Sequence, residues 1–297
     1  MIPAWLGVSI SFVYGIVVGS FLNVCIYRLP EGMSVSTPPS HCPKCNNRLK
    51  SIDLIPLLSF LFLGRKCRYC KTPISWRYFT IELITGLLFV AAYFRYGFSI
   101  DYIAGVLFIS ALIVAFVVDM DLFIIPDEVS IAGVIIGVGR DIAHLIAKTP
   151  DYLVKIHIPF TNISFPMLPS ILGIVLCGGL FYLIWAITYP IYKPKDPEEA
   201  EEYEGAMGGG DVKLAAAIGA VIGWLPGMVS FLIAVFAGTI VGVGLMVASA
   251  RAEKKGVSLR TQIPFGPHMV IGALVVMLFY SKLILLWKWW LFLWIPK

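Results

Sequence analysis

Three glycines stand directly before Asp211 in the segment GAMGGGDVKLAAAIGAVIGW, residues 205–224, and an apolar run follows it. A second acidic side chain, Asp119, ends another apolar run in AFVVDMDLFIIPDEVS. Ionisable groups at the depth of a membrane span are costly to bury and commonly serve function. Taken alone, Asp211 also fits a helix N-cap, because aspartate accepts hydrogen bonds from the first free backbone N–H groups of a helix.

Two carboxylates in one wet cavity can hydrolyse a peptide bond. They share a proton, since both cannot ionise cheaply at short range. The ionised partner activates a water molecule, and the protonated partner donates to the carbonyl oxygen of the scissile peptide. The sequence shows no HExxH motif and no serine–histidine pairing that suggests a serine protease. These residue types predict an aspartyl protease with Asp119 and Asp211 as its catalytic dyad.

Four cysteines form two CxxC pairs, in HCPKCNNRLK and RKCRYCKT; they are Cys42, Cys45, Cys67 and Cys70. Each pair has the spacing of a zinc knuckle, and four thiolates complete a tetrahedral site. Two redox-active pairs or four unrelated cysteines are the alternative interpretations, but disulfides are disfavoured in a reducing cytoplasm. A four-cysteine site leaves no open coordination position, so the sequence predicts a structural zinc ion.

The composition indicates that these residues belong to a membrane protein. Of 297 residues, 59% are hydrophobic and 14% are charged. Apolar runs of about 15 to 24 residues approach the length that crosses about 30 Å of hydrocarbon. Eight such runs are present, at 4–27, 78–94, 100–118, 128–146, 167–189, 211–225, 228–249 and 268–287. The prediction is an all-α polytopic protein with eight transmembrane helices: a first helix (1–27), a zinc-binding loop (28–77) and a seven-helix protease core (78–297).

The positions of the basic residues predict the orientation of the helices. Sixteen of the 23 lysines and arginines fall in loops on one side if residues 28–77 are cytoplasmic. An excess of Lys and Arg marks cytoplasmic loops. Both termini are therefore expected outside, with the zinc loop and the active site at the cytoplasmic face. The net charge of +5 then reflects topology and contact with anionic lipid, and gives no case for nucleic-acid binding.

The apolar run after Asp211 is short for a membrane span. It reaches the Pro226–Gly227 turn after about 15 residues, or roughly 22 Å of helix. The helix is therefore predicted to begin below the membrane surface, after a glycine loop of irregular backbone that lines a cavity. Glycine permits such a loop because it has no Cβ and can take positive φ. Asp119 is expected at the same depth, at the cytoplasmic end of the third span.

Glycine pairs with GxxxG spacing predict close packing between helices of this one chain. Four pairs have this spacing: Gly15/Gly19, Gly133/Gly137, Gly219/Gly223 and Gly238/Gly242. Self-association through them is the less favoured alternative.

Six motifs in order resemble those of the type IV prepilin peptidase family, within the GxGD class of intramembrane aspartyl proteases. They are GSFLNVCIYRLP, the CxxC pairs, ISWRYFTIELITG, VDMDLFIIPD, GGGDVKL and IPFGPHM, and they cover nearly the whole chain. The family's first catalytic aspartate lies eight residues before the acidic residue of a PD pair, which matches Asp119 before Asp127. Its second is the aspartate of GxGD, which is Asp211, with Gly208 and Gly210 in the glycine positions.

The resemblance implies two reactions. A type IV prepilin or pseudopilin, with a short basic leader and an apolar N-terminal helix, is cleaved after a glycine. The same enzyme then methylates the new N-terminus with S-adenosylmethionine. Relatives that lack the zinc loop resemble peptidases only, so the four intact cysteines favour the bifunctional form. The implied location is the bacterial inner membrane, but no glycine-rich nucleotide fingerprint assigns residues to S-adenosylmethionine.

Other charged residues near these motifs have two interpretations each. Asp127 could orient Asp119 but is predicted to cap the fourth span. Lys213 is predicted to be an interfacial lysine or, alternatively, to tune the catalytic carboxylate. Glu82 supports the site or pairs with a basic residue such as Arg77. The acidic run 198–204 is a solvated loop or, alternatively, attracts the basic leader of the substrate.

Two other protein classes are alternatives to a protease. A proton-coupled transporter also carries carboxylates on broken helices, but it predicts an inverted repeat and carboxylates near the bilayer midplane. Neither feature is visible in the sequence. A non-catalytic membrane anchor, whose zinc loop binds a partner, predicts that Asp119→Asn and Asp211→Asn leave activity in cells unchanged.

Overall fold

A computed structural model of the chain describes residues 3–157, 164–192, 208–251 and 264–294, and these are mostly helical. The helices are α1 (Ala4–Arg28), α2 (Leu58–Phe62), α3 (Trp76–Tyr96), α4 (Ile100–Leu122), α5 (Asp127–Ile146), α6 (Pro169–Gly173), α7 (Gly179–Tyr192), α8 (Gly209–Ile222), α9 (Trp224–Arg251) and α10 (Gly266–Trp294). A 3-10 turn covers Ser51–Leu54, and a π-helical turn, Ile174–Gly178, joins α6 to α7. Strands β1 (Val154–His157) and β2 (Ser164–Met167) form an antiparallel pair.

Seven segments within the described ranges are long and apolar enough to cross a membrane. They are Ala4–Arg28, Trp76–Tyr96, Ile100–Leu122, Asp127–Ile146, Pro169–Ile191, Trp224–Ala248 and Gly266–Lys288. The remaining predicted span, 211–225, corresponds to α8, which has 14 residues and is about 21 Å long. That length is below the thickness of a bilayer core. The multi-pass membrane architecture is confirmed, and the eighth span stays a prediction.

The chain divides into two compact units, Met1–Val118 and Asp119–Lys297. In the first unit α1 packs along α3, and glycines allow the two backbones to approach. A Cβ at Gly15 would lie 2.7 Å from the Cα of Gly86, and one at Gly19 would lie 2.8 Å from the Cα of Glu82. The GxxxG pair of α1 therefore packs within the chain, as predicted.

Helix α8 lies at the centre of the second unit. Leu214, Ala215, Ala217 and Ile218 are almost completely buried. Neighbouring helices approach α8 at small residues: a Cβ at Gly137 of α5 would lie 2.5 Å from the Ala220 carbonyl oxygen. A helix too short to span a bilayer is thus enclosed by longer helices, which explains its run of alanines and glycines.

The start of α8 differs from the predicted glycine loop. Gly208 is the N-cap, with an extended backbone, and Gly209 and Gly210 are already helical. None of these three described glycines has a positive φ. The backbone at these three positions is therefore ordinary, and the predicted need for the conformational freedom of glycine is not met there. The acidic run 198–204 lies outside the described residues.

Candidate active site and metal site

Asp119 lies in the last turn of α4, and only 5% of its surface is exposed. Its carboxylate accepts a hydrogen bond from the backbone N–H of Gly266, the first residue of α10. The first N–H groups of a helix have no partner within the helix, and the helix dipole favours negative charge there. The start of α10 therefore holds the Asp119 carboxylate in a fixed position.

Asp211 is the third residue of α8, so the N-cap interpretation of this aspartate is wrong. Its carboxylate reaches back one turn and accepts a hydrogen bond from the backbone N–H of Gly208. An acidic residue at the third helical position makes this contact in capping boxes. The Asp211 carboxylate also interacts electrostatically with Asp119. The structure thus brings together the two aspartates that the sequence pairs.

Ile125, in the connection between α4 and α5, packs against the starts of both α8 and α10. A Cβ at Gly210 would lie 3.1 Å from the Cβ of Ile125, and one at Gly266 would lie 3.1 Å from its Cδ1. Gly266 is needed for space, because a Cβ there would also overlap Asp119 Oδ2, and a Cβ at Gly210 would require Ile125 to shift; neither glycine has a positive φ. The role of Ile125 was not predicted; its place between Asp119 and the Pro126–Asp127 pair was the available signal.

His268 is a buried residue near Asp119 that the sequence analysis did not assign to the site. It lies on α10, two residues after Gly266, and interacts electrostatically with the Asp119 carboxylate. Its Nδ1 lies 3.1 Å from the carbonyl oxygen of Pro264. A carbonyl oxygen can only accept a hydrogen bond, so Nδ1 carries the hydrogen and donates the hydrogen bond to the Pro264 carbonyl oxygen.

Lys213 and Asp127 form an ion pair between the starts of α8 and α5. The Lys213 Nζ donates to both carboxylate oxygens of Asp127, at 2.6 and 2.8 Å, and both side chains are exposed. Asp127 is itself the first residue of α5, and Pro126 is the N-cap. The prediction that Asp127 caps the helix is therefore wrong, because its carboxylate binds Lys213 across the unit instead.

The four cysteines of the loop converge, as their spacing predicts. Their Sγ atoms all lie within 4.8 Å of one another, and those of Cys42 and Cys70 are 3.8 Å apart. A tetrahedral zinc ion with Zn–S bonds of about 2.3 Å places sulfur atoms about 3.8 Å apart. The donor set and its spacing therefore fit a zinc ion.

The two CxxC segments repeat one local structure. Asn46 N–H donates to Cys42 O at 2.8 Å, and Lys71 N–H donates to Cys67 O at 3.0 Å. Asn46 and Lys71 both have positive φ, of 54° and 59°. In each segment the next side chain contacts the second thiol: Asn47 Nδ2 lies 3.4 Å from Cys45 Sγ, and Thr72 Oγ1 lies 3.3 Å from Cys70 Sγ. This matched pair of turns is typical of zinc knuckles.

Charged contacts around the second knuckle support its shape. The Arg68 guanidinium binds the Asp53 carboxylate, which also accepts from the Lys50 N–H at 3.1 Å. Desolvation acts to raise the pKa of Asp53, but these hydrogen bonds outweigh it and hold the pKa below its usual range. Hydrogen bonds from Thr72 lower the pKa of the Cys70 thiol to about 6. An ionised Cys70 is the form that binds a metal.

Glu82 lies in the first unit and is buried on α3. Its carboxylate accepts a hydrogen bond from the backbone N–H of Leu57 at 2.8 Å and another from Ser20. Its described partners thus include the loop before α2.

Comparisons with known proteins agree with the motifs. The model of the bacterial peptidase A24 N-terminal domain matches residues 13–96, and that of the type IV leader peptidase family matches residues 106–243. A prepilin leader peptidase/N-methyltransferase of Bacillus subtilis (strain 168) is 31% identical over 277 residues, which cover 93% of this chain and 96% of that protein. The chain belongs to the type IV leader peptidase family.

Other relatives in this family carry the same name and also align over nearly their whole length. The protein of Aeromonas hydrophila is 29% identical over 298 residues, covering 92% of this chain and 91% of its own. The protein of Legionella pneumophila is 28% identical over 306 residues, covering 95% of this chain and 94% of its own. No solved structure is significantly similar to this chain. The family resemblance inferred from the motifs is confirmed.

Proposed function

We propose that this protein cleaves the leader from type IV prepilin-like substrates, with Asp119 and Asp211 as an aspartyl dyad. One observation supports this most directly: two carboxylates from α4 and α8 interact with each other, and one of them is buried against the N-terminus of α10. The named relatives are prepilin leader peptidases, so the proton-coupled transporter is not favoured.

In the proposed reaction, one aspartate is ionised and takes a proton from a water molecule, which attacks the carbonyl carbon of the scissile peptide. The other aspartate donates its proton to the carbonyl oxygen. The tetrahedral intermediate then collapses: the aspartate that took the proton from water passes it to the leaving amine, and the other aspartate regains a proton from a hydroxyl group of the intermediate as the new carbonyl forms. The Gly266 and Gly208 N–H groups hold the two carboxylates in place, so little reorganisation is required during the reaction.

The proposed substrate is a prepilin or pseudopilin whose basic leader lies at the cytoplasmic face and whose apolar helix rests in the membrane. We place the protein in the bacterial inner membrane, with eight transmembrane helices and both termini outside. The positive-inside distribution of lysine and arginine supports this orientation. The domains remain as proposed from the sequence: the first helix, the zinc loop and the protease core.

Methylation of the new N-terminus by S-adenosylmethionine is proposed from the names of the relatives. Within the described ranges the sheet is the antiparallel pair β1–β2. It does not provide the glycine-rich turn after a parallel strand that cradles nucleotides in doubly wound folds. We therefore assign no residues to this co-substrate. The four cysteines are proposed to bind a structural zinc ion that folds the loop.

The test is cleavage of a prepilin-like peptide by the purified full-length protein, with Asp119→Asn, Asp211→Asn and the matched control Asp121→Asn. Asp121 is an exposed aspartate one half-turn from Asp119 on α4. Each dyad variant is expected to lose cleavage, by about 10⁴-fold or more, while the control retains it. Methylation of a pre-cut peptide should persist in both dyad variants. Retained cleavage in either dyad variant would overturn the dyad.

A further inference from the structure

Helix α2, in the zinc loop, has an exposed apolar face. Leu58, Leu61 and Phe62 stand at positions i, i+3 and i+4 and so share one side of the helix. Their surfaces are 50%, 59% and 85% exposed. Ile52, Leu54 and Ile55, just before α2, are also exposed. Water-soluble surfaces rarely carry so contiguous an apolar patch, and such patches mark interaction sites.

The opposite side of α2 is anchored to α3. Phe60 is buried, and its ring centroid lies 5.2 Å from that of Trp76 and 5.3 Å from that of Phe79. Trp76 and Phe79 stand in the first turn of α3. The position of α2 is therefore fixed relative to a membrane-spanning helix.

A hydrogen bond sets the depth of this anchor. The Leu57 N–H, directly before α2, donates to Glu82 Oε2 at 2.8 Å. Glu82 lies six residues after Trp76, which is about 9 Å along the axis of α3. This contact therefore holds the start of α2 beside the first turns of α3, which is one of the candidate spans.

Positive charges follow the apolar face directly. Arg65 and Lys66 are both exposed, and the Arg65 guanidinium lies 5.7 Å from the ring centroid of Trp76. Tryptophan is enriched at the boundary between bilayer and water, and Lys and Arg there attract anionic headgroups. Apolar and cationic side chains that suit this boundary thus both lie beside the start of α3.

We propose that α2 lies in the boundary of the lipid bilayer beside the start of α3. Leu58, Leu61 and Phe62 contact acyl chains, and Arg65 and Lys66 contact the phosphates of anionic lipids. A free five-residue helix would not stay at this boundary, because interfacial helices bind through a large buried apolar area. Here Phe60 and Glu82 hold α2 in place. The zinc loop is thereby attached to the membrane surface and is not a freely projecting domain.

The test uses the full-length protein in nanodiscs of phosphatidylethanolamine and phosphatidylglycerol. The photoreactive residue benzoylphenylalanine replaces Phe62 in one sample and Lys44, an exposed residue of the first knuckle, in the control. After irradiation, mass spectrometry identifies the adducts. Lipid adducts are expected at position 62 and in much smaller amount at position 44. Zinc content shows that both proteins are folded.

Charge recognition is tested on the same sample. Arg65→Gln and Lys66→Gln should lower the share of phosphatidylglycerol among the adducts at position 62, by up to about fivefold for each charge. The proposal is overturned if position 62 yields no more lipid adduct than position 44. It is equally overturned if the adducts are with an added prepilin-like peptide or with a second copy of the protein.

Discussion

The backbone N–H of Gly266 donates a hydrogen bond to the Asp119 carboxylate, and the two residues are so close that a Cβ at position 266 would overlap Asp119 Oδ2. Gly266 begins α10 and does not have a positive φ. The position therefore requires glycine because of the carboxylate beside it. This contact links the last span directly to the proposed dyad.

Gly266→Ala should accordingly impair cleavage without a change in charge. Displacing a catalytic group by about 1 Å can cost about 100-fold in rate, and a fall of that order is expected in kcat/KM for a prepilin-like peptide. Gly209→Ala is the matched control, because a Cβ there meets no atom within 4 Å. Wild-type cleavage by Gly266→Ala would show that Asp119 is not positioned by this contact.

The Lys213–Asp127 ion pair should contribute little to stability or to the rate of cleavage. Both side chains are exposed, and pairs of this kind stabilise by about 0–1 kcal/mol. Asp127→Asn and Lys213→Gln are each expected to change kcat/KM by less than about fivefold, and the double variant should resemble either single variant. A loss of cleavage in Asp127→Asn as large as that in Asp119→Asn would instead make Asp127 part of the catalytic machinery.

The sequence predicted which side chains the structure brings together, the two aspartates and the four cysteines, but not their local geometry. Carboxylates in apolar runs and paired CxxC motifs are recognisable because their chemistry is rare at those positions. The predicted start of α8 differs from the observed start because any of three consecutive glycines can serve as the N-cap. The structure uses Gly208, so Asp211 is the third helical residue. The hydrogen bond from the Gly208 N–H to the Asp211 carboxylate could not be predicted, because it depends on which residue begins the helix.

Contacts between distant segments account for the other differences. Asp127 looked like a helix cap because it stands before an apolar run, but its partner Lys213 is 86 residues away. Ile125 and Gly266 likewise meet through the packing of α10 within the second unit. Local patterns report propensities, and a long-range partner overrides them when it offers a stronger contact.

Removal of one zinc ligand should unfold the loop, whereas replacement of a cysteine outside the loop should leave zinc binding unchanged. Cys67→Ser is expected to lower bound zinc from about one ion per chain to none, because a structural site requires all four thiolates. Cys25→Ala is the control, since Cys25 is buried in α1 and belongs to no described metal-binding cluster. Metal analysis of the purified proteins measures the effect. Full zinc content in Cys67→Ser would contradict the four-cysteine site.

The Thr72–Cys70 hydrogen bond should determine the pH at which the loop releases its metal. Hydrogen bonds from Thr72 are the largest cause that lowers the pKa of Cys70 to about 6, so this ligand stays a thiolate, available to the metal, at lower pH than an ordinary thiol. Thr72→Val removes the hydroxyl that lies 3.3 Å from the sulfur. The Cys70 pKa then rises toward that of an ordinary thiol, so the midpoint of zinc release should shift to higher pH.

A chromogenic zinc indicator read across a pH titration measures both midpoints. Thr80→Val is the control, because the Thr80 hydroxyl binds the Trp76 carbonyl in α3. Equal midpoints for wild type and Thr72→Val would show that this hydroxyl does not control the thiol.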